Sequence, residues 1–156
     1  AALVQYRQAE EAGAADGAFW GNYALALFRA GQHAEAAVRW EKAARLLPLS
    51  LQVAYNLATA YLLTDRGDSA AALYQRCIAL EAVQGRVQNN LGVIAELAGD
   101  TRTAARQYLA AREIAAERGW PQSVAAANLE RFFRGTPLLS VAMAADPTVL
   151  AEEPTQ

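Results

Sequence analysis

A 34-residue period, countable without gaps, restricts what this chain can fold into more than any other feature of its sequence. When segments 17–50, 51–84 and 85–118 are laid over one another, the same classes of side chain fall in the same columns. The first unit carries Trp20, Tyr23, Ala24, Leu27, Ala36, Trp40, Ala43 and Pro48. The second carries Ala54, Leu57, Ala58, Tyr61, Ala70, Tyr74, Cys77 and Ala82, and the third Gln88, Leu91, Gly92, Ala95, Ala104, Tyr108, Ala111 and Ala116. Within each half-unit the apolar positions are three and four apart, which places them on one stripe of a helix. Ala24, Ala58 and Gly92 are small where two helix backbones must approach closely, and Trp40, Tyr74 and Tyr108 supply the bulk that fills the space between them. Gly31, Gly67 and Gly99 are expected to punctuate the joints between paired helices. No segment has the alternation of a strand.

These columns resemble the tetratricopeptide repeat (TPR) family, whose units carry Trp, Leu, Gly and Tyr and then Ala, Phe, Ala and Pro at the same spacing. Only the fourth and thirty-second positions degenerate. The resemblance implies an all-α fold, a TPR solenoid in which antiparallel helix pairs stack into a right-handed superhelix. Run backwards, the register puts Ala2, Tyr6, Ala9 and Ala14 in the columns of a second helix. Segment 1–16 is therefore expected to be a half-repeat, with something upstream missing. Run forwards, Gly119-Trp120-Pro121 is a break. Pro121 suits the first turn of a capping helix within 119–134, Trp120 is placed to staple its start, and Glu130, Arg131 and Arg134 give it a polar outer side. The TPR domain is thus expected over 1–134 and a tail over 135–156, where Asp146-Pro147 can open one short helix.

In TPR proteins the first helix of each pair lines the concave side, the usual peptide site. Carried over by position, that face holds Gly21, Asn22, Leu25, Phe28 and Arg29 in the first unit. It holds Gln52, Tyr55, Asn56, Thr59, Leu62 and Leu63 in the second, and Arg86, Asn89, Asn90, Val93, Glu96 and Leu97 in the third. Asparagine recurs at the sixth position of every unit, as Asn22, Asn56 and Asn90, and Asn128 continues the series in the capping helix. A side-chain amide both donates and accepts, so such a row can hydrogen-bond the backbone of an extended peptide without reading its sequence. It resembles the asparagine ladder of O-linked N-acetylglucosamine transferase. The alternative is that these residues brace the helix packing. Some TPR domains instead clamp the carboxylate of a chaperone tail. Asn56 fits that pattern and Arg86 can replace one lysine, but Gly21, Leu25 and Asn90 occupy its other positions, so the clamp is expected to be absent. Arg29, Arg86, Arg131 and Arg134 bias the groove towards an acidic segment.

Composition excludes more than it selects. A net charge of −2 with 19% charged residues lacks the basic excess that neutralising a nucleic-acid backbone requires. One cysteine makes no internal disulfide, and with one histidine it assembles no usual zinc site, so no metal or cofactor is expected. Cys77 stands in a column where alanine is usual and is read as a small buried hydrophobe, and His33 as an exposed turn residue. No apolar run reaches the roughly 18 residues that span a bilayer, and no direct membrane insertion is expected. A soluble chain of the cytoplasm or periplasm fits, with the compartment left open. The arginine-rich usage with the single Lys42 suits a GC-rich bacterial genome. Catalysis finds no support: there is no phosphate loop, nucleophile elbow or H-E-x-x-H motif, and Glu10-Glu11 and Glu152-Glu153 read as solvated charge. The expectation is a scaffold or adaptor that binds a protein or an extended peptide. Two alternatives stand beside it. One is self-association through the half-repeat or the tail. The other is a substrate-recruiting module whose enzymatic domain lies outside this chain.

Overall fold

The computed structural model describes residues 2–13, 16–80, 83–119 and 124–138. Ala14, Ala82, Trp120, Pro121, the Asp146-Pro147 start and Glu152-Glu153 lie outside them. The described residues fold into α1 (Ala2–Glu11), α2 (Gly17–Arg29), α3 (His33–Leu46), α4 (Leu51–Leu63), α5 (Gly67–Cys77), α6 (Gln84–Leu97), α7 (Thr101–Glu117) and α8 (Val124–Phe133), with no strand among them. The packing is sequential. α2 pairs with α3, α4 with α5 and α6 with α7, while α3 meets α4, α5 meets α6 and α7 meets α8. This is an all-α, TPR-type helical-repeat solenoid, flanked by α1 before the three pairs and by α8 after them.

Local chemistry starts the helices where the repeat begins. Asp16 accepts the backbone N–H of Phe19 at 2.7 Å, and Ser50, one period later, accepts that of Val53 at 3.2 Å. Each cap satisfies a donor that the first helical turn leaves unpaired. The second helices α3, α5 and α7 bury only narrow stripes, such as Ala36, Ala37, Trp40 and Ala43 on α3. Trp40, Tyr74 and Tyr108 are wholly buried and fill the space between helices. At Gly92 the close approach is absolute: an added Cβ would lie 2.7 Å from the Tyr108 ring.

The joints differ from the expected glycine series. Gly67 is the first residue of α5, and the left-handed joint is made by Asp65 at φ 60°, between Gly31 and Gly99, both at φ 77°. The three positions are 34 apart. Asp tolerates this conformation better than most residues because its short polar side chain bonds locally, but it still carries a Cβ penalty. Asp65→Gly should therefore raise stability by about 1 kcal/mol in urea unfolding, less the entropy that glycine adds to the unfolded chain. A loss of stability would show that the Asp65 side chain contributes more than its backbone conformation costs.

Helix α1 has no fully buried residue, yet it is anchored. Tyr6 stacks on Tyr23 at 5.2 Å, and Glu10 bridges Arg39 and Lys42 at 3.1 and 3.2 Å. The same two cations lie over aromatic rings, with Lys42 Nζ 3.9 Å from the centroid of Trp20 and Arg39 5.1 Å from that of Tyr23. At the other end, Glu130 pairs with Arg134 on the outer surface of α8. His33 departs from the expectation of exposure. It is half-buried with its ring 4.5 Å from Phe28.

A buried polar row across four helices

The first helix of the second pair is buried to an unusual extent. Val53 to Leu62 is an unbroken run of ten buried residues on α4. At 3.6 residues per turn such a run covers the whole circumference of a helix. α6 is similar, with Asn89 to Val93 buried in succession. For α4 the reason lies in the sequence: Leu51–Leu63 has no charged residue, and its polar positions are Gln, Asn, Thr and Tyr.

The structure brings most of these polar groups into one hydrogen-bonded chain that crosses four helices. Asn128 on α8 donates to Asn89 Oδ1 at 2.8 Å, and Asn89 donates to Asn90 Oδ1 at 3.1 Å. Asn90 then donates to the Tyr74 hydroxyl at 2.9 Å, Tyr74 donates to Thr59 Oγ1 at 3.0 Å, and Thr59 donates to the Tyr55 carbonyl at 3.0 Å. The Tyr55 and Tyr74 rings meet edge to face at 5.8 Å. Amides and hydroxyls suit this place because each donates and accepts at once, so the chain runs on without leaving a buried group unsatisfied. Sequence reading treated Tyr74 purely as core filler and missed that its hydroxyl links two repeats. The signal was present, since tyrosine replaces the usual phenylalanine in that column.

Of the residues expected to face a partner, Asn56, Asn90, Tyr55, Thr59, Leu25, Asn89 and Asn128 are buried in the folded chain. Asn22, Leu63 and Arg86 are half-buried, and Arg29 alone is exposed. In the folded chain three amides of the row, Asn56, Asn90 and Asn128, are buried and Asn22 is half-buried. Desolvated amides in a helix stack are stable only when bonded to one another or to covering backbone, and Asn89, Asn90 and Asn128 do bond to one another. Tyr55, Asn56, Arg86, Asn89, Asn90 and Asn128 each make at least one polar or ring contact beyond those given above.

A second polar centre closes the end of the row. Arg131 on α8 grips Glu96 on α6 with both guanidinium nitrogens, at 2.7 and 2.5 Å, and Tyr108 donates to Glu96 Oε2 at 2.8 Å. Burial opposes ionisation of Glu96, but the bonds from Arg131 and Tyr108 outweigh it and hold the carboxyl below its ordinary pKa. Tyr108 is driven the other way, first by burial and then by its carboxylate partner. Arg131 also donates to the Thr136 carbonyl at 2.8 Å, fixing the chain where it leaves α8. Cys77 is fully buried, and burial pushes its thiol up to about 11, so it is no nucleophile at neutral pH. Among the described residues there is no cluster of His, Cys, Asp and Glu that could hold a metal ion, and no helix long and apolar enough to cross a membrane.

A sequential stack of helix pairs, with a buried hydrogen-bonded row running through α4, α5, α6 and α8, is a helical-repeat solenoid of the TPR type. The likeness extends to solved structures. Two crystal structures of MamA match over 85% of this chain with a TM-score of 0.65 and 18% sequence identity, covering 80% and 85% of the MamA chains. At that identity the match speaks for the fold. No protein-family model matches the sequence, and no curated protein matches it either.

Proposed function

We propose that the chain is a protein-binding scaffold that takes an extended peptide along its inner helices, α2, α4 and α6. The observation that carries this reading is the row of amides repeating every 34 residues, Asn22, Asn56 and Asn90, continued by Asn128 and flanked by Arg29 and Arg86. Amides one repeat apart match the backbone groups of an extended peptide, and the two arginines favour a segment that carries carboxylates. Binding, not catalysis, is the chemistry such a row supports.

The residues to vary are those that are not sealed in the core. Asn22→Ala combined with Arg29→Ala touches one half-buried and one exposed side chain, and neither change removes core packing. In a pull-down with the full chain, this double variant should lose a specific partner band that Val38→Ala, on the exposed side of α3, retains. Equal recovery by both variants removes the groove as the binding site.

A second reading, self-association, is favoured by α1, which has no fully buried residue and leaves Val4 57% exposed. Light scattering coupled to size exclusion distinguishes the two, since a monomer at every concentration excludes a second copy as the partner.

A further inference from the structure

We infer that the aromatic and cationic platform under α1 is a second interaction surface, whose partner is an acidic helix with an aromatic residue four positions before a carboxylate. Helix α1 is the chain's own stand-in for that partner, and binding displaces it. The surface lies on α2 and α3 and takes a helix, so it goes beyond the reading of an extended peptide along α2, α4 and α6.

The first observation is what α1 sits on. Two cations of α3 lie over rings of α2: Lys42 Nζ is 3.9 Å from the centroid of Trp20, and Arg39 is 5.1 Å from that of Tyr23 and 5.8 Å from that of Trp20. A pair of positive charges fixed on aromatic faces selects a carboxylate, and α1 supplies Glu10. Its two oxygens are divided between Arg39 at 3.1 Å and Lys42 at 3.2 Å. Tyr6, four residues earlier, stacks on Tyr23 with the ring planes 8° apart and meets Phe19 edge-on at 5.7 Å. Residues four apart share one side of a helix, so a ring and a carboxylate at that spacing are what the platform accepts.

The second observation is that recognition of the anion is incomplete. Arg39 gives Glu10 one bond, from a terminal nitrogen, while its Nε is buried without a hydrogen-bond partner. A guanidinium holds a carboxylate best through two parallel bonds, and a buried donor left unpaired is costly. Glu10 is shared with Lys42, and Arg7, one turn earlier on the same side of α1, has the charge of the cations themselves. A helix with a second carboxylate in the place of Arg7 would make a better fit than α1 does.

The third is how lightly α1 is held. It has no buried residue, whereas α8 at the other end buries Ala125, Asn128 and Leu129. The side chains of Arg39, Glu10 and Lys42 are 21%, 27% and 32% exposed, open enough for solvent to weaken both bridges. The chain leaves α1 through Gly13 at φ 83°, with open space around it. An element with so few buried contacts is among the first to open. The α1 of a second copy offers the same contacts without the tether and so loses to the chain's own. A foreign helix that also satisfies Arg39 gains what α1 lacks.

The test titrates the full chain with a fluorescein-labelled peptide that has the sequence of residues 2–12 and the change Arg7→Glu. Loosening α1 in the chain by Tyr6→Ala with Glu10→Gln, neither of which is a buried residue, should tighten peptide binding about tenfold. The reason is that apparent affinity scales with the fraction of chains whose platform is open. Adding Arg39→Gln, which leaves Lys42 over Trp20, should reverse that gain. Amide hydrogen exchange reads the displacement. With the native chain saturated by peptide, α1 should lose its protection while α4 keeps its own, and α4 reports in each variant that the stack is folded. No binding to either chain, equal binding to both, a gain that survives Arg39→Gln, or unchanged exchange in α1 overturns the inference. Light scattering covers the remaining occupant: a dimer of the native chain that the peptide dissolves assigns the platform to the α1 of a second copy and also overturns it.

Discussion

Trp40→Ala is expected to lower the stability of the chain by about 3–5 kcal/mol, the cost of truncating a fully buried large aromatic side chain. For a chain of this length that corresponds to a fall in Tm of roughly 10–15 °C. Trp40 is at 0% exposure and lies 5.5 Å from Phe28 on the paired helix. Removing it opens a void between the paired helices α2 and α3, beside the Phe28 ring. Trp40→Phe supplies the control. The indole Nε1 is buried and has no hydrogen-bond partner among the described residues, so the phenyl ring gives up volume but no bond. Its loss should be about a third of that of the alanine variant. Thermal unfolding followed by circular dichroism reads both. Equal losses would mean that the indole nitrogen matters more than the space it occupies.

Arg131→Met should loosen α8 from α6, at a cost of about 2 kcal/mol at neutral pH, in line with hydrogen bonds to a charged partner. The side chains of Arg131 and Glu96 are 19% and 16% exposed, too covered for solvent to replace the bond and too open for the full penalty of a buried charge. The effect has a pH signature. Glu96 has a lowered pKa in the folded chain, so its contribution is fully present above the ordinary glutamate value of about 4.3 and is lost as pH falls through the lower, folded-state value. The stability gap between the native chain and Arg131→Met should therefore be constant from pH 7 to about pH 5 and close below about pH 4. In the variant, Glu96 loses the partner that offsets its burial, which widens the gap at neutral pH. Urea unfolding across that range measures it, and a pH-independent gap would assign the role of Arg131 to the packing of its stem rather than to the bridge.

Much of this architecture was legible before any coordinates. The 34-residue spacing alone paired Ala24, Ala58 and Gly92 with Trp40, Tyr74 and Tyr108, and the 2.7 Å between a Gly92 Cβ and the Tyr108 ring is that pairing in space. That a helix follows within 119–134 was readable as well, and α8 spans Val124–Phe133. The joint at Asp65 was not, because Gly67 two residues later is the stronger local signal in the sequence and only the backbone φ tells the two apart. The state of the asparagine row was also illegible. Column position says which face of a helix a residue occupies, but exposure depends on everything that later packs against that face. Tyr74 shows the same limit, since a hydroxyl that reaches Asn90 in the next repeat and Thr59 on its paired helix is invisible to a register that compares like positions.

The sequence by itself determined the period, the helical class, the order of the pairs and the identity of the knobs and notches, because each follows from short-range spacing and side-chain size. Only the tertiary structure decided that seven of the eleven expected contact residues are buried, that Asn128, Asn89, Asn90, Tyr74 and Thr59 form one chain of bonds, and that Arg131 locks α8 to α6 through Glu96. The physical reason is range. Helix formation and repeat register depend on residues three, four and 34 apart. Burial and hydrogen-bond partnership depend on groups as much as 39 positions away whose approach is set by the whole stack.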